Sequence, residues 1–243
     1  MIDPWLLLGA FILLAYTVEA VTGFGSIVIA LSLGALFLPI PELLPVLVPL
    51  NIVQSGYLTL RHRRHIHLPT LFRLILPLMA AGTALGYLMR PALEGALLKT
   101  LFGLLIVWFT GRELWRMARG GAATRHGPMV TRALMLAAGI SHGLFASGGP
   151  LLVYGLAGTP LDKARLRATL IAVWLALNGL LTIIFLVDGS LIPNLPRLAT
   201  YLPVVLVGLV AGEWLHSRID ERRFRQLVFA LLAVTGVLLA LPR

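Results

Sequence analysis

Two glycine-rich stretches interrupt long apolar runs of this 243-residue chain: Thr22-Gly23-Phe24-Gly25-Ser26 near its start, and Ala146-Ser147-Gly148-Gly149-Pro150 past its middle. Behind each interruption a new helix is expected to begin, with Ser26 as N-cap of the first and Pro150 in the first turn of the second. The first amides of a helix have no intrahelical acceptor, and about half a unit of positive charge collects there, so each start favours an anion. Hydroxyls of Thr22, Ser26 and Ser147 would add donors, while Phe24 and Phe145 would close a cavity above and below. The alternative use of any one of these glycines is close helix packing.

Glu19 is the one acid well inside an apolar run, and His142 occupies the same position relative to the second break, 123 residues on. A charge at the centre of a bilayer costs at least about 2.5 kcal/mol, so an ionisable group there is a functional candidate. The two are expected to form a proton-coupling pair; the plainer alternative is a protonated Glu19 bound to backbone with His142 as its partner. Asn51, Gln54 and Ser55 make the next polar group, and the same offset carries Asn51 onto Trp174 and Ser55 onto Asn178. Residues four apart share one helix face, and amides in lipid-embedded helices face the bundle interior, where they would either donate to the substrate or bind helix to helix. The expected anion site therefore comprises Thr22, Gly23, Phe24, Gly25, Ser26, Asn51, Phe145, Ala146, Ser147, Gly148, Gly149, Pro150 and Asn178. No catalytic residue, metal or cofactor is expected.

The composition dictates what must position these residues. Hydrophobic residues make up 58% of the chain and charged ones 12%, with a mean hydropathy of +0.92, which excludes a water-soluble globule. The formal charge of +10 resides in short gaps between apolar runs, where it marks cytoplasmic flanks of membrane helices rather than nucleic-acid binding. With no cysteine, disulfide frameworks and thiolate chemistry are excluded. No basic residue precedes the first apolar run, so a cleavable signal peptide is not expected.

Eight hydrophobic segments are legible, at roughly 5–38, 43–60, 69–89, 92–111, 132–158, 168–187, 198–217 and 225–241. Segments one and five, interrupted by the glycine-rich stretches, read as paired half-helices. An ordered set of matches (Gly25 with Gly148, Gly56 with Gly179, Pro77 with Pro203, Gly82 with Gly208, Gly86 with Gly212) indicates a duplicated four-segment unit. Eight straight crossings would divide the basic residues 11 to 9 between the two sides. If segments one and five enter and return on the same side, the division becomes 16 to 4, as cytoplasmic enrichment requires. Each half then crosses three times, so the second is inverted relative to the first, with both termini outside the cytoplasm. The expected fold is all-α and polytopic: two inverted four-segment repeats, each with a broken, re-entrant first segment and three transmembrane helices. The repeats occupy 1–116 and 131–243, joined by a cytoplasmic linker at 117–130.

Thr22-Gly23-Phe24-Gly25-Ser26, the downstream Asn51, the basic gap after segment two and Phe145-Ala146-Ser147-Gly148-Gly149-Pro150 together resemble the sulfite exporter TauE/SafE family of bacterial membrane transporters, over nearly the whole chain. The resemblance implies proton-coupled export of small sulfur-containing or organic anions, such as sulfite or sulfonates, across the bacterial cytoplasmic membrane, and no enzymatic activity. Only the two glycine-rich breaks carry over residue by residue. The implied partners are a small anion and the lipid bilayer, with no nucleic acid and no fixed oligomeric state. Two other classes would use the same residues: an intramembrane serine hydrolase built on Ser147 and His142, and a passive anion channel.

Overall fold

The computed structural model describes residues 3–22, 25–93, 95–119, 126–216, 218 and 220–241. The described residues are helical throughout their ordered elements and contain no strand. In chain order the helices are α1 (Pro4–Thr22), α2 (Ser26–Gly34), α3 (Ile40–His62), α4 (Leu68–Thr70), α5 (Leu76–Met89), α6 (Gly95–Arg119), α7 (Pro128–Phe145), α8 (Gly149–Gly155), α9 (Lys163–Val187), α10 (Leu195–His216) and α11 (Glu221–Ala240). A π-helical turn, Leu71–Ile75, joins α4 to α5 ahead of Pro77, whose missing N–H cannot serve an α-helical ladder. Asp162 caps α9 by accepting from the Arg165 N–H at 2.8 Å, and Gly189, at φ +80°, turns the chain out of its far end.

Among the described residues, six helical stretches are long and apolar enough to cross a membrane: Pro4–Thr22, Ile40–His65, Leu68–Ala92, Gly95–Arg119, Ala164–Val187 and Ile192–Leu215. Leu6, Leu88, Met129 and Val187 are each more than 70% exposed, an outward apolar surface suited to lipid. The chain is thus an all-helical, multi-pass membrane protein.

Both interruptions fall where the sequence places them, but the pieces are unequal. Leg α1 has 19 residues and α2 nine; α7 has 18 and α8 seven. At 1.5 Å per residue α1 is about 28 Å long, close to a full hydrocarbon thickness, so the first leg exceeds the half-helix expected of it. The second leg is the shorter because α2 ends at Gly34, before the apolar run does. Gly25 turns the chain at φ +108° and Ala146 at φ +50°. Each second leg then runs back along the first. A methyl on Gly34 would lie 3.2 Å from Leu8, one on Gly155 would lie 3.1 Å from Leu134, and Phe37 stacks on Phe11 with ring centroids 6.2 Å apart.

The bundle is assembled from four main pairings: α1 with α10, α5 with α7, α3 with α9, and α6 with α11. Small residues make the tightest of these possible. A Cβ on Gly86 would sit 2.2 Å from the Ile140 carbonyl oxygen, one on Gly143 2.2 Å from that of Thr83, and one on Gly82 2.4 Å from that of Leu136. Between α1 and α10 the approach is looser at Gly208, where a Cβ would meet Tyr16 Cβ at 3.1 Å, and tight at Gly212, 2.5 Å from the Thr17 oxygen.

Candidate functional site

The backbone turns at Gly25 and Ala146 bring the two breaks together. They share an internal cavity of about 30 Å³ lined by Glu19, Gly25, Ser26, Ile27, Val28, Asn51, Ala146, Ser147, Gly149, Trp174 and Asn178. That volume admits one or two water molecules. Helix α3 contributes Asn51 and α9 contributes Trp174 and Asn178, because these two helices pack on each other behind the breaks.

A buried hydrogen-bonded chain runs through the site. The Ser26 amide donates to Glu19 Oε2 at 2.9 Å, and Asn51 Nδ2 donates to Glu19 Oε1 and Oε2 at 3.1 and 3.2 Å and to Ser26 Oγ at 2.8 Å. Asn178 Nδ2 in turn donates to Asn51 Oδ1 at 2.6 Å, joining the two halves. Glu19 is 2% exposed, so its position depends on these donors. A second layer holds the same helices in register: Tyr16 Oη donates to the Leu47 carbonyl at 3.1 Å, and Gln54 Nε2 donates to the Tyr16 carbonyl at 3.1 Å.

Ser26 is therefore the first residue of α2 rather than its cap. Gly25 holds the cap position in a left-handed conformation that presents no side chain, and the carboxylate of Glu19, seven residues earlier, takes the amide instead. Glu19 and His142 are also not joined by a hydrogen bond or ion pair among the described residues. The carboxylate is engaged by Ser26 and Asn51, whereas the His142 ring stacks on Trp174 at a centroid distance of 6.1 Å and an angle of 18°. Neither His142 nitrogen closes a hydrogen bond of normal geometry, although the Leu177 backbone lies alongside.

Of the remaining expected site residues, Gly25, Ser26, Asn51, Ala146, Ser147, Gly149 and Asn178 line the cavity. Thr22 does not: its hydroxyl donates to the Val18 carbonyl at 2.9 Å, and the residue lines an apolar cleft with Phe109 and Phe229. Phe145 packs into the core on Phe102, with centroids 4.9 Å apart. Gly148 faces α7, where a Cβ would lie 2.4 Å from the Ala138 oxygen, and Pro150 occupies the first turn of α8. Gly23 and Phe24 lie outside the described residues. Ser147 Oγ donates to the Phe145 carbonyl at 2.9 Å and makes no hydrogen bond to His142, so the nucleophile–base contact of a hydrolase is not formed.

Trp174 is not among the expected site residues. Its ring lies against Gly149, it lines the cavity, and its indole Nε1–H is a buried donor with no partner among the described residues. The signal that could have selected it is its place in the repeat, opposite Asn51. Two arginines were read only as topology markers. Arg167 Nη2 donates to the Ala20 carbonyl at 2.7 Å, and Arg90 Nε donates to the Leu144 carbonyl at 3.2 Å. Each thus reaches from one half of the chain to the last turn of the other half's broken helix, where carbonyls favour cations.

Unequal broken helices returning on themselves around a buried polar cavity, within a lipid-suited bundle, define a polytopic membrane protein of transporter type. The chain matches the family Sulfite exporter TauE/SafE over residues 8–239 and belongs to that family, one of sulfite and anion exporters. No curated protein and no solved structure matches it.

Proposed function

We propose that this protein is a secondary transporter that exports a small sulfur-containing or organic anion, such as sulfite or a sulfonate, across the bacterial cytoplasmic membrane in exchange with protons. The observation that carries the reading is the cavity shared by the two breaks, with the unpartnered indole N–H of Trp174 beside Ser26, Ser147 and Asn178. A buried donor without an acceptor is costly, and a transient anion would satisfy it.

The pairing of helices supports an inverted repeat. Exchanging the halves turns the α1–α10 contact into α7–α5 and leaves α3–α9 and α6–α11 as each helix with its own counterpart, the pattern expected of a two-fold axis in the membrane plane. Loop contacts support the charge-based topology. Tyr87 donates to Asp188, and Arg197 lies 3.7 Å over the Trp5 ring, on one face. Arg61 pairs with Glu213 at 2.6 Å, and the His67 amide donates to Thr169 Oγ1 at 3.0 Å, on the other. The first face is then the outer one, and α1–α2 and α7–α8 are re-entrant hairpins. Units 1–116 and 131–243 would rock about the shared cavity, with 117–130 as the cytoplasmic linker.

Proton coupling follows from who holds the start of α2. Glu19 occupies the Ser26 amide that an anion would need, so an ionised Glu19 and the anion compete, and protonation of Glu19 releases the place. His142, at the matched position, is the second candidate group in this coupling.

The reading is tested by flux in proteoliposomes loaded with sulfite, thiosulfate, sulfonates or simple carboxylates. A proton gradient should accumulate at least one anion against its own gradient; flux that only dissipates gradients would indicate a channel. Ser147→Asp should abolish transport in a folded protein, and unchanged flux would remove the cavity from the mechanism. Because the chain lacks cysteine, single cysteines report topology: in whole cells an impermeant maleimide should label Ile192→Cys and spare Thr159→Cys. Ile192 serves better than its neighbour Leu191, which is buried.

A further inference from the structure

A second cavity, of about 250 Å³, opens where the turn after α5 meets the loop after α9. It is lined by Pro41, Pro45, Tyr87, Leu88, Arg90, Pro91, Phe185, Asp188 and Ser190. Arg90 is its centre. The guanidinium carbon lies 5.1 Å from the Tyr87 ring centroid and 5.4 Å from that of Phe185, so two aromatic faces fix its plane. Its Nε is held by the Leu144 carbonyl at 3.2 Å. Nη2 is buried without a partner, and no hydrogen bond from Nη1 occurs among the described residues.

The nearby carboxylate attracts this fork through space without binding it. Asp188 Oδ1 accepts from the Ser190 amide at 2.8 Å, and Asp188 Oδ2 accepts from Tyr87 Oη. No Arg90–Asp188 ion pair forms. A guanidinium held in place with no ion pair, and with Nη1 rather than the buried Nη2 left accessible, can meet an oxygen of a carboxylate, sulfonate or sulfite. The attachment at Leu144 also lies two residues from Ala146, which lines the central cavity.

We propose that this cavity is a separate binding site for a small oxyanion, a vestibule that holds the anion at Arg90 before or after it occupies the central cavity. The proposal rests on the anion-transport reading for its biological sense, but the binding itself is measured independently of transport.

The test uses Ser190→Cys in the full-length, otherwise cysteine-free protein. Labelling rates are compared for a sulfonate-bearing and a trimethylammonium-bearing methanethiosulfonate, each normalised to a free thiol. The anionic reagent should react about tenfold faster relative to the cationic one, in line with charge focusing in a cleft. Methanesulfonate, used as the probe anion at matched ionic strength against gluconate, should slow labelling several-fold. Arg90→Gln should remove both the preference and the protection, and Asp188→Asn should increase the preference. Equal normalised rates, or protection that survives Arg90→Gln, would overturn the site. If Arg90→Gln does not fold, the Asp188→Asn variant decides: an increased anionic preference supports the site and an unchanged one overturns it. Adding Ser147→Asp should leave protection intact; its loss would mean that only the central site binds the anion. A wild-type protein that transports but gives no protection would defeat the vestibule alone, whereas protection without any flux would defeat the transport reading alone.

Discussion

The two halves carry matched positions at their breaks and fill them with different chemistry. In the first half Glu19, Ser26 and Asn51 are locked together by four hydrogen bonds, so the start of α2 is already occupied by a carboxylate of the same chain. In the second half the corresponding residues are His142, Gly149 and Trp174. Here a ring stack replaces the hydrogen bonds, and an indole N–H is left without an acceptor. Two turns face each other, one making a guarded wall and the other an open one. The two halves also differ in their outer seams. Helices α5 and α7 meet through glycine on both sides, at Gly82 and Gly86 against Gly139 and Gly143, whereas α10 brings Gly208 and Gly212 against Tyr16 and Ala20 of α1.

The largest expected effect breaks the tighter seam. Gly86→Val drives a side chain into the Ile140 carbonyl, 2.2 Å from where its Cβ would stand, and should cost more than about 3 kcal/mol or prevent assembly. Gly208→Ala, whose Cβ would meet Tyr16 Cβ at 3.1 Å, the Leu13 oxygen at 3.2 Å and the Thr17 nitrogen at 3.3 Å, should cost about 1 kcal/mol. Thermal unfolding in detergent measures both, and equal losses would erase the distinction between the seams.

Glu19→Ala leaves the Ser26 amide and Asn51 Nδ2 without their acceptor in a buried site, and should destabilise by about 1–3 kcal/mol. His142→Leu fills the same buried space and loses only the ring stack, so it should lower stability by about 0.5–1.5 kcal/mol. Chemical denaturation of the two variants side by side checks the order, and a costlier histidine would reverse the assignment of the guarded wall. Smallest in stability is Trp174→Phe, which keeps an aromatic ring and deletes the N–H. It should stay within about 1 kcal/mol of the parent while raising the KM for anion flux about tenfold. A KM unchanged by this substitution would remove the indole donor from the site.

Much of this arrangement is legible in the sequence because glycine and proline report backbone demands locally. Gly25 and Ala146–Gly149 mark the turns, and the 123-residue offset relates Asn51 to Trp174 and Ser55 to Asn178 before any helix is built. What the sequence does not yield depends on side-chain direction after a turn. Whether Phe145 points into the cavity or onto Phe102 depends on the face of α7 that its last residue occupies once the helices are packed. That Glu19, rather than the hydroxyl of Ser26, closes the start of α2 requires knowing that α1 and α2 fold back on one another. The unequal leg lengths follow from where α2 ends, at Gly34, which apolar composition cannot fix. Arg90 and Arg167 read as topology charges because nothing in a linear gap reveals that each reaches across to the other half's broken helix.

The most direct measurement is anomalous diffraction from crystals grown with selenite as a heavy-atom substitute for sulfite. A selenium peak between the two turns is expected, within hydrogen-bond reach of Trp174 Nε1 and of the Ser26 and Ser147 side chains, with the Glu19 carboxylate withdrawn from the Ser26 amide. Selenium found only at the molecular exterior under saturating selenite, with the Glu19–Ser26 contact intact, would contradict a common anion cavity at the two breaks.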